Sequence, residues 1–216
     1  MTSARDAILD SIRRSLRSDN TVAITTDKPA IEIQRHARGP QPHWQENNIE
    51  RFVAKLEAVA ATLKRVNNEN EIIIAIQAYL QQQALPTQLV TAKSPLLDSL
   101  VWPADFKVEQ RRATGDDVTV LTEAFAGVAE TGSLVLLSSP ESPTSLNFLP
   151  DNYLCVLQRD RIVQNIEDVW DRVRQHSETM PRAINFITGP SRTADVEQTI
   201  QLGAHGPRRL HVILLE

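Results

Sequence analysis

Glu130 stands where a carboxylate could do chemistry. In AGVAETGSLVLLSS (126–139) it follows a run of small residues, precedes Thr131, Gly132 and Ser133, and leads into a strongly apolar strand pattern. Gly132 permits a tight bend or a close backbone approach. A carboxylate at such a bend, beside two hydroxyls, suits a general base, a general acid or a nucleophile. The same residues equally describe a plain turn with a solvated glutamate, and spacing alone leaves both readings open.

Two further stretches carry polar groups in suggestive patterns. SSPESPTSLNFLPDNY (138–153) holds three prolines and four serines, which predicts a loop rather than a helix. Asn147 and Asp151 are its best polar contacts. The loop either rims a pocket or is a rigid crossover whose LNFL packs on the core. The closing stretch, GPSRTADVEQTIQLGAHGPRRLHVILLE (189–216), places Gly189-Pro190 after the strand pattern INFIT, with Ser191 or Thr193 as the cap of a following helix. Strand, glycine turn and helix start together can seat an anion on free backbone N–H groups, with Arg192 adding charge. Asp195 and Glu197 in the first turns oppose a phosphate there, because they already satisfy the helix dipole. Gly203 would end that helix as its C′ residue, and Gly206-Pro207 makes a second turn crowded by His205, Arg208 and Arg209. Beside two cations, His205 is either a neutral base or a surface histidine with no task. His36, His43, His176 and His211 form no metal-ligand spacing with it.

Cys155 is the sole cysteine and sits within YLCVL, so it reads as a buried, inert thiol. It excludes an internal disulfide, and one thiol cannot hold an iron–sulfur cluster, which takes about four. With a net charge of −4, the chain lacks the basic field that sequence-independent nucleic-acid binding needs. Its longest apolar runs are too short to cross a bilayer. The stretch MTSARDAILDSIRRSL reads as no signal peptide, and with the cysteine usage this predicts a cytoplasmic location.

The elements that must position these groups follow from periodicity. Ala4, Ile8, Ile12 and Leu16 form one stripe of an N-terminal helix over 1–17, and the polar, proline-bearing text of 18–43 reads as a linker or arm. From Trp44 a helical pattern (Ile49, Phe52, Val53, Leu56, Val59, Ala60, Leu63) runs to about Val66. Residues 69–83 form another helix, stopped by Pro86. Strands are predicted at 87–92, 107–112, 118–129, 133–139, 152–158 and 183–189 and in RLHVILLE, with helices at 166–177 and 194–203. Strands interleaved with helices predict an α/β fold with a largely parallel sheet, the domain proper spanning 44–216.

AETGSLVLLSS, SLNFLPDNYLCVL, RIVQNIEDVW and GPSRTADVEQTIQLGAHGPRRLHVILLE together resemble the LUD domain family, its lactate utilisation protein C group, over roughly residues 70–216. ARDAILDSIRRSL is similar to the N-terminal helix common in that group. The resemblance implies a NagB/RpiA/CoA-transferase-like layered α/β sheet with flanking helices, and a part in oxidation of L-lactate to pyruvate beside partner proteins that carry iron–sulfur and oxidoreductase motifs. It implies no cofactor on this chain, which also has no convincing G-x-G-x-x-G. The motif positions it implies are Glu130, Thr131 and Gly132; Asn147, Pro150 and Asp151; Gly189, Ser191, Thr193, Asp195 and Glu197; and His205, Gly206 and Arg208. Three functions compete: a non-redox component of a lactate-oxidising assembly, a stand-alone enzyme for a small anionic or thioester substrate with Glu130 as base or nucleophile, and a ligand-sensing module.

Overall fold

The computed structural model describes residues 5, 6, 8–11, 38–177, 179–193, 201–203 and 205–216. The chain divides into two compact units, residues 1–40 and 41–216. In the first, residues 8–11 are helical, within the stretch expected as an N-terminal helix. Most of that stretch and most of the expected arm lie outside the described residues.

The second unit runs α1 (Asn48–Ala58), β1 (Thr62–Val66), α2 (Glu69–Gln82), β2 (Gln88–Thr91), α3 (Pro95–Ser99), β3 (Lys107–Gln110), β4 (Thr119–Glu123), β5 (Ala126–Val128), β6 (Ser133–Leu137), α4 (Ser145–Phe148), β7 (Asn152–Gln158), β8 (Ile162–Val163), α5 (Ile166–His176), β9 (Ile184–Ile187), β10 (Arg192–Thr193), β11 (Gln201–Leu202) and β12 (Arg209–Leu215). Six strands make a parallel sheet in the order β1-β12-β7-β4-β2-β3. Four more make a mixed sheet, β8-β5-β6-β9, and β10 pairs with β11. The unit is α/β, with helices flanking a parallel sheet.

Strand order follows composition. NYLCVLQ and RLHVILL are near-continuous apolar runs, which suit central parallel strands buried on both faces. Leu154, Cys155, Val156, Leu157, Val212, Ile213 and Leu214 are fully buried. TLKRV, with exposed Lys64 and Arg65, forms the edge strand β1, where charge discourages further pairing. In α2 the run IIIAI is helical: Ile72, Ile73 and Ile76 are buried while Ile74 faces solvent. Asn68 accepts from Glu71 N, and Glu71 accepts from Asn67 N, so the start of that helix is closed by its own side chains.

Several expectations are corrected. The helix expected to reach Val66 stops at Ala58, because Ala60 turns left-handed (φ 64°) and Thr62–Val66 then pairs with β12. The expected strand 118–129 is two strands in two sheets. Ala124 N donates to Val156 O in the parallel sheet, and the next amide, Phe125 N, donates to Val135 O in the mixed one. The proline-rich loop contains one helical turn, α4. The expected helix 194–203 gives way to strand at Gln201–Leu202, and residues 194–200 lie outside the described residues.

The two larger sheets meet along α1. Phe52, Leu56 and Val59 fall at i, i+4 and i+7, one stripe of the helix. Glycines face it there. A Cβ on Gly127 would lie 3.1 Å from Phe52, one on Gly132 2.6 Å from Leu56 N, and one on Gly189 2.8 Å from Val59 Cγ2. Gly132 and Gly189 also have positive φ, 72° and 89°.

Gly132→Ala therefore meets backbone and strain together. We expect a loss of about 2 kcal/mol or more, read from denaturant unfolding. Gly115→Ala, with nothing within 4 Å of the added carbon, is expected to stay within about 0.5 kcal/mol of the parent.

Candidate functional site

The parallel sheet has an amino edge and a carboxyl edge, and the residues singled out from the sequence divide between them unevenly. At the amino edge Asn152 opens β7 beside Arg209, which opens β12. Asp151 O accepts from Arg209 N at 3.0 Å, the Arg209 guanidinium donates to Asn152 Oδ1 at 3.1 Å, and Arg208 Nε lies 3.4 Å from Asp151 Oδ1. Ser191 joins the same edge. Its N–H donates to Pro207 O at 2.8 Å, its carbonyl accepts from Gly203 N, and its hydroxyl accepts from His205 N at 3.3 Å. Gly206 sits where a Cβ would crowd Ser191 and approach Phe148 of α4. Gly189, Ser191, Asp151, His205 and Arg208 thus gather along one seam. Asp151, His205 and Arg208 are exposed.

Asn147 turns inward instead. It is buried, and its Oδ1 accepts from Tyr153 OH at 3.4 Å, with Thr122 Oγ1 2.7 Å from the same phenol oxygen. Burial pushes the Tyr153 phenol well above its ordinary range and the Cys155 thiol up to about 12. Cys155 is buried, as its setting suggested.

Glu130 lies apart from the seam. Its N–H donates to Gln164 O at 3.0 Å and its Oε2 accepts from Ile166 N at 3.1 Å. The carboxylate thereby fastens the first turn of α5, where the helix dipole favours negative charge. Thr131 Oγ1, Ser133 Oγ and Thr188 Oγ1 form a hydroxyl chain with steps of 2.7 and 2.6 Å, running from the Glu130 turn to the residue before Gly189. Thr193 belongs to β10, paired with β11, so the Gly189 turn enters a strand ladder and Ser191 caps no helix; Gly203 follows β11 rather than a helix. Asp195 and Glu197 lie outside the described residues. Among the described residues no cluster of three or more histidine, cysteine or acidic side chains could hold a metal ion. No helix of the described residues is long and apolar enough to cross a membrane.

The carboxyl edge holds the more open ground. A cleft of about 680 Å³ lies at the ends of β7 and β12, walled by Gln158, Gln164 and Glu216, with Trp44 and the start of α1, Asn47 and Asn48. Ligands of α/β sheets commonly bind outside the carboxyl ends of the strands. Glu216 takes Arg65 and Arg159 at 3.3 and 3.1 Å, and Arg51 pairs with Glu46 while stacking 4.2 Å from the Trp44 ring centre. Its charges are largely neutralised in place, which suits a neutral polar molecule better than an anion. None of the residues expected as site residues lines it, although Glu130 fastens Gln164 from behind. Sequence reasoning missed this cleft; the signal available was the position of Gln158 and Glu216 at the ends of two central strands.

Comparison with known proteins adds a family. The model described as the LUD domain matches residues 45–215. A protein named lactate utilization protein C, from Bacillus subtilis strain 168, is 35% identical over 118 residues, covering 53% of this chain and 49% of that protein. The chain therefore spans about half the length of that relative. An uncharacterized protein of Neisseria meningitidis serogroup B is 26% identical over 99% of this chain and 94% of its own length. The crystal structure of a DUF162 family protein from Deinococcus radiodurans superposes with a TM-score of 0.59 at 21% identity, covering 81% of this chain and 100% of that one, a likeness of fold.

His211, on β12 beside the edge strand β1, is a perturbed group the sequence did not flag. Burial lowers it to about 4, its ring stacks on Tyr79 with centres 4.4 Å apart, and Nδ1 lies 2.7 Å from Thr62 Oγ1. It folds neutral. Between pH 4 and 6.5 the unfolded chain holds more protons, so stability falls as pH drops through 6.5 and levels off near 4. We expect that loss to total about 3 kcal/mol in denaturant melts, and His211→Gln to remove that part of the pH slope.

Proposed function

This chain belongs to the LUD domain family, and from that premise we propose that it serves lactate utilisation as a component that carries no electrons itself. The name of the Bacillus subtilis relative supports the pathway. The chain's own thiol supply supports the division of labour: its sole cysteine is buried in the central strand β7, with the thiol raised to about 12, and offers no thiolate to a cluster. Electrons from L-lactate would then pass through iron–sulfur partner proteins.

The observation that carries the reading is the exposed seam at the amino edge. Segments widely separated in sequence, around Asp151, Ser191 and His205–Arg208, are fastened together there by backbone hydrogen bonds. The seam presents Asp151, His205 and Arg208 to solvent. Such a surface suits partner docking. A second reading is an enzyme or ligand sensor for a small anionic or thioester substrate; the carboxyl-edge cleft offers it a ligand-sized space, although the cations there are already paired with Glu216 and Glu46.

In the native host, deleting the gene is expected to abolish growth on L-lactate and leave growth on pyruvate intact. Tagged chain from lactate-grown cells is expected to bring down iron–sulfur proteins, recognisable by visible absorbance and mass spectrometry. Arg208→Glu should reduce that recovery about tenfold, the scale of a truncated hot-spot residue. Its folding stability should shift by less than about 1 kcal/mol, since an exposed ion pair contributes little. Undiminished growth of the deletion strain on lactate would sink the reading.

A further inference from the structure

A second cleft, of about 370 Å³, opens where the chain leaves one sheet for the other. Phe125, Arg161, Arg172, Gln175 and His176 line it. Arg172, Gln175 and His176 fall at i, i+3 and i+4, so α5 presents them on one face. Arg161 enters from the turn after β7. From this setting we infer that the cleft binds the oxyanion of a small molecule, a carboxylate or a phosphate, held between two guanidinium groups and over the Phe125 ring.

The way these cations are held supports the inference. Arg161 donates to Ala124 O at 3.0 Å and pairs with Glu123 at 2.9 Å. The same Glu123 oxygen takes Gln158 Nε2 at 2.7 Å, so that carboxylate is already occupied. Arg172 is steadied by a carbonyl, Asp160 O, at 2.8 Å. A guanidinium fixed through a neutral acceptor keeps its charge and its remaining donors in a preset orientation. His176 sits edge-on to Phe125, 5.2 Å between ring centres.

The neighbouring acids have contacts of their own. Asp168 accepts from Asn165 N, Asp171 pairs with Arg174, and Asp160 lines the Trp44 cleft. The carboxyl end of α5 opposes an anion with roughly half a charge; Arg161 is paired with Glu123, and Arg172, held through a carbonyl, supplies the full charge that outweighs it. The balance favours the anion. The Trp44 cleft, whose charges are paired, borders the same turn after β7. The inference stands on this geometry and does not need the lactate reading.

The test is titration of the full chain at low ionic strength with L-lactate, pyruvate and inorganic phosphate in separate arms, followed by calorimetry and by the NMR signals of the arginine Nε–H groups. Saturable binding in the lactate or pyruvate arm assigns a carboxylate ligand, and in the phosphate arm a phosphate. In either case Arg172→Gln, which leaves the Arg161–Glu123 contact in place, should weaken binding about tenfold or more, and the Arg172 signal should move. No saturable change in any arm, an equal response to sodium chloride, or binding unchanged in Arg172→Gln would overturn the inference.

Discussion

The close approach of two sheets to one face of α1 is the contact on which the second unit depends. Phe52, Leu56 and Val59 each meet a glycine from the strands or turns opposite. Two of those glycines also need the left-handed backbone. Side chains there would hold the mixed sheet off the helix and open the core around Phe52 and Leu56, which are fully buried. The same helix also connects the two edges of the parallel sheet. Its first residues wall the Trp44 cleft, and its last carbonyl region receives Arg192, whose guanidinium donates to Val59 O at 3.0 Å.

The two edges differ in how their polar groups are used. At the amino edge Ser191 meets Pro207, Gly203 and His205, and Asp151 meets Arg208 and Arg209. These bonds are satisfied within the chain, which makes this edge a joint between segments distant in sequence. At the carboxyl edge the clefts keep amide and guanidinium donors on open walls. A joint lies on one edge and ligand-sized clefts lie on the other.

Much of this is legible in the sequence. β7, β12 and α5 announce themselves because burial on two faces, or on one helical stripe, leaves a plain apolar pattern. The end of α1 does not, because Val59, Ala60 and Leu63 keep the helical period through a turn made by an alanine rather than a glycine. The break at Ala124–Phe125 is equally silent, since neither residue is a turn former and both neighbours are strand. α4 hides among serines and prolines. Asp151 and Arg208 meet because β7 and β12 pair in parallel, whereas Glu130 and Asn147 are carried elsewhere by their own elements. The clefts were not found, because Trp44, Gln158 and Glu216, or Phe125, Arg161 and Arg172, have nothing in common until the fold joins them.

Strand β12 lies between β7 and β1, the last strand of the sequence inserted between two earlier ones. His211 reaches Thr62 across a separation of 149 residues. Until that insertion occurs, β1 and β7 present bare hydrogen-bonding edges to each other across an empty lane. Non-local closure of this kind is slow, and its intermediates expose strand edges to foreign chains. The architecture thus leaves the chain open to aggregation in the interval before the lane between β1 and β7 is filled.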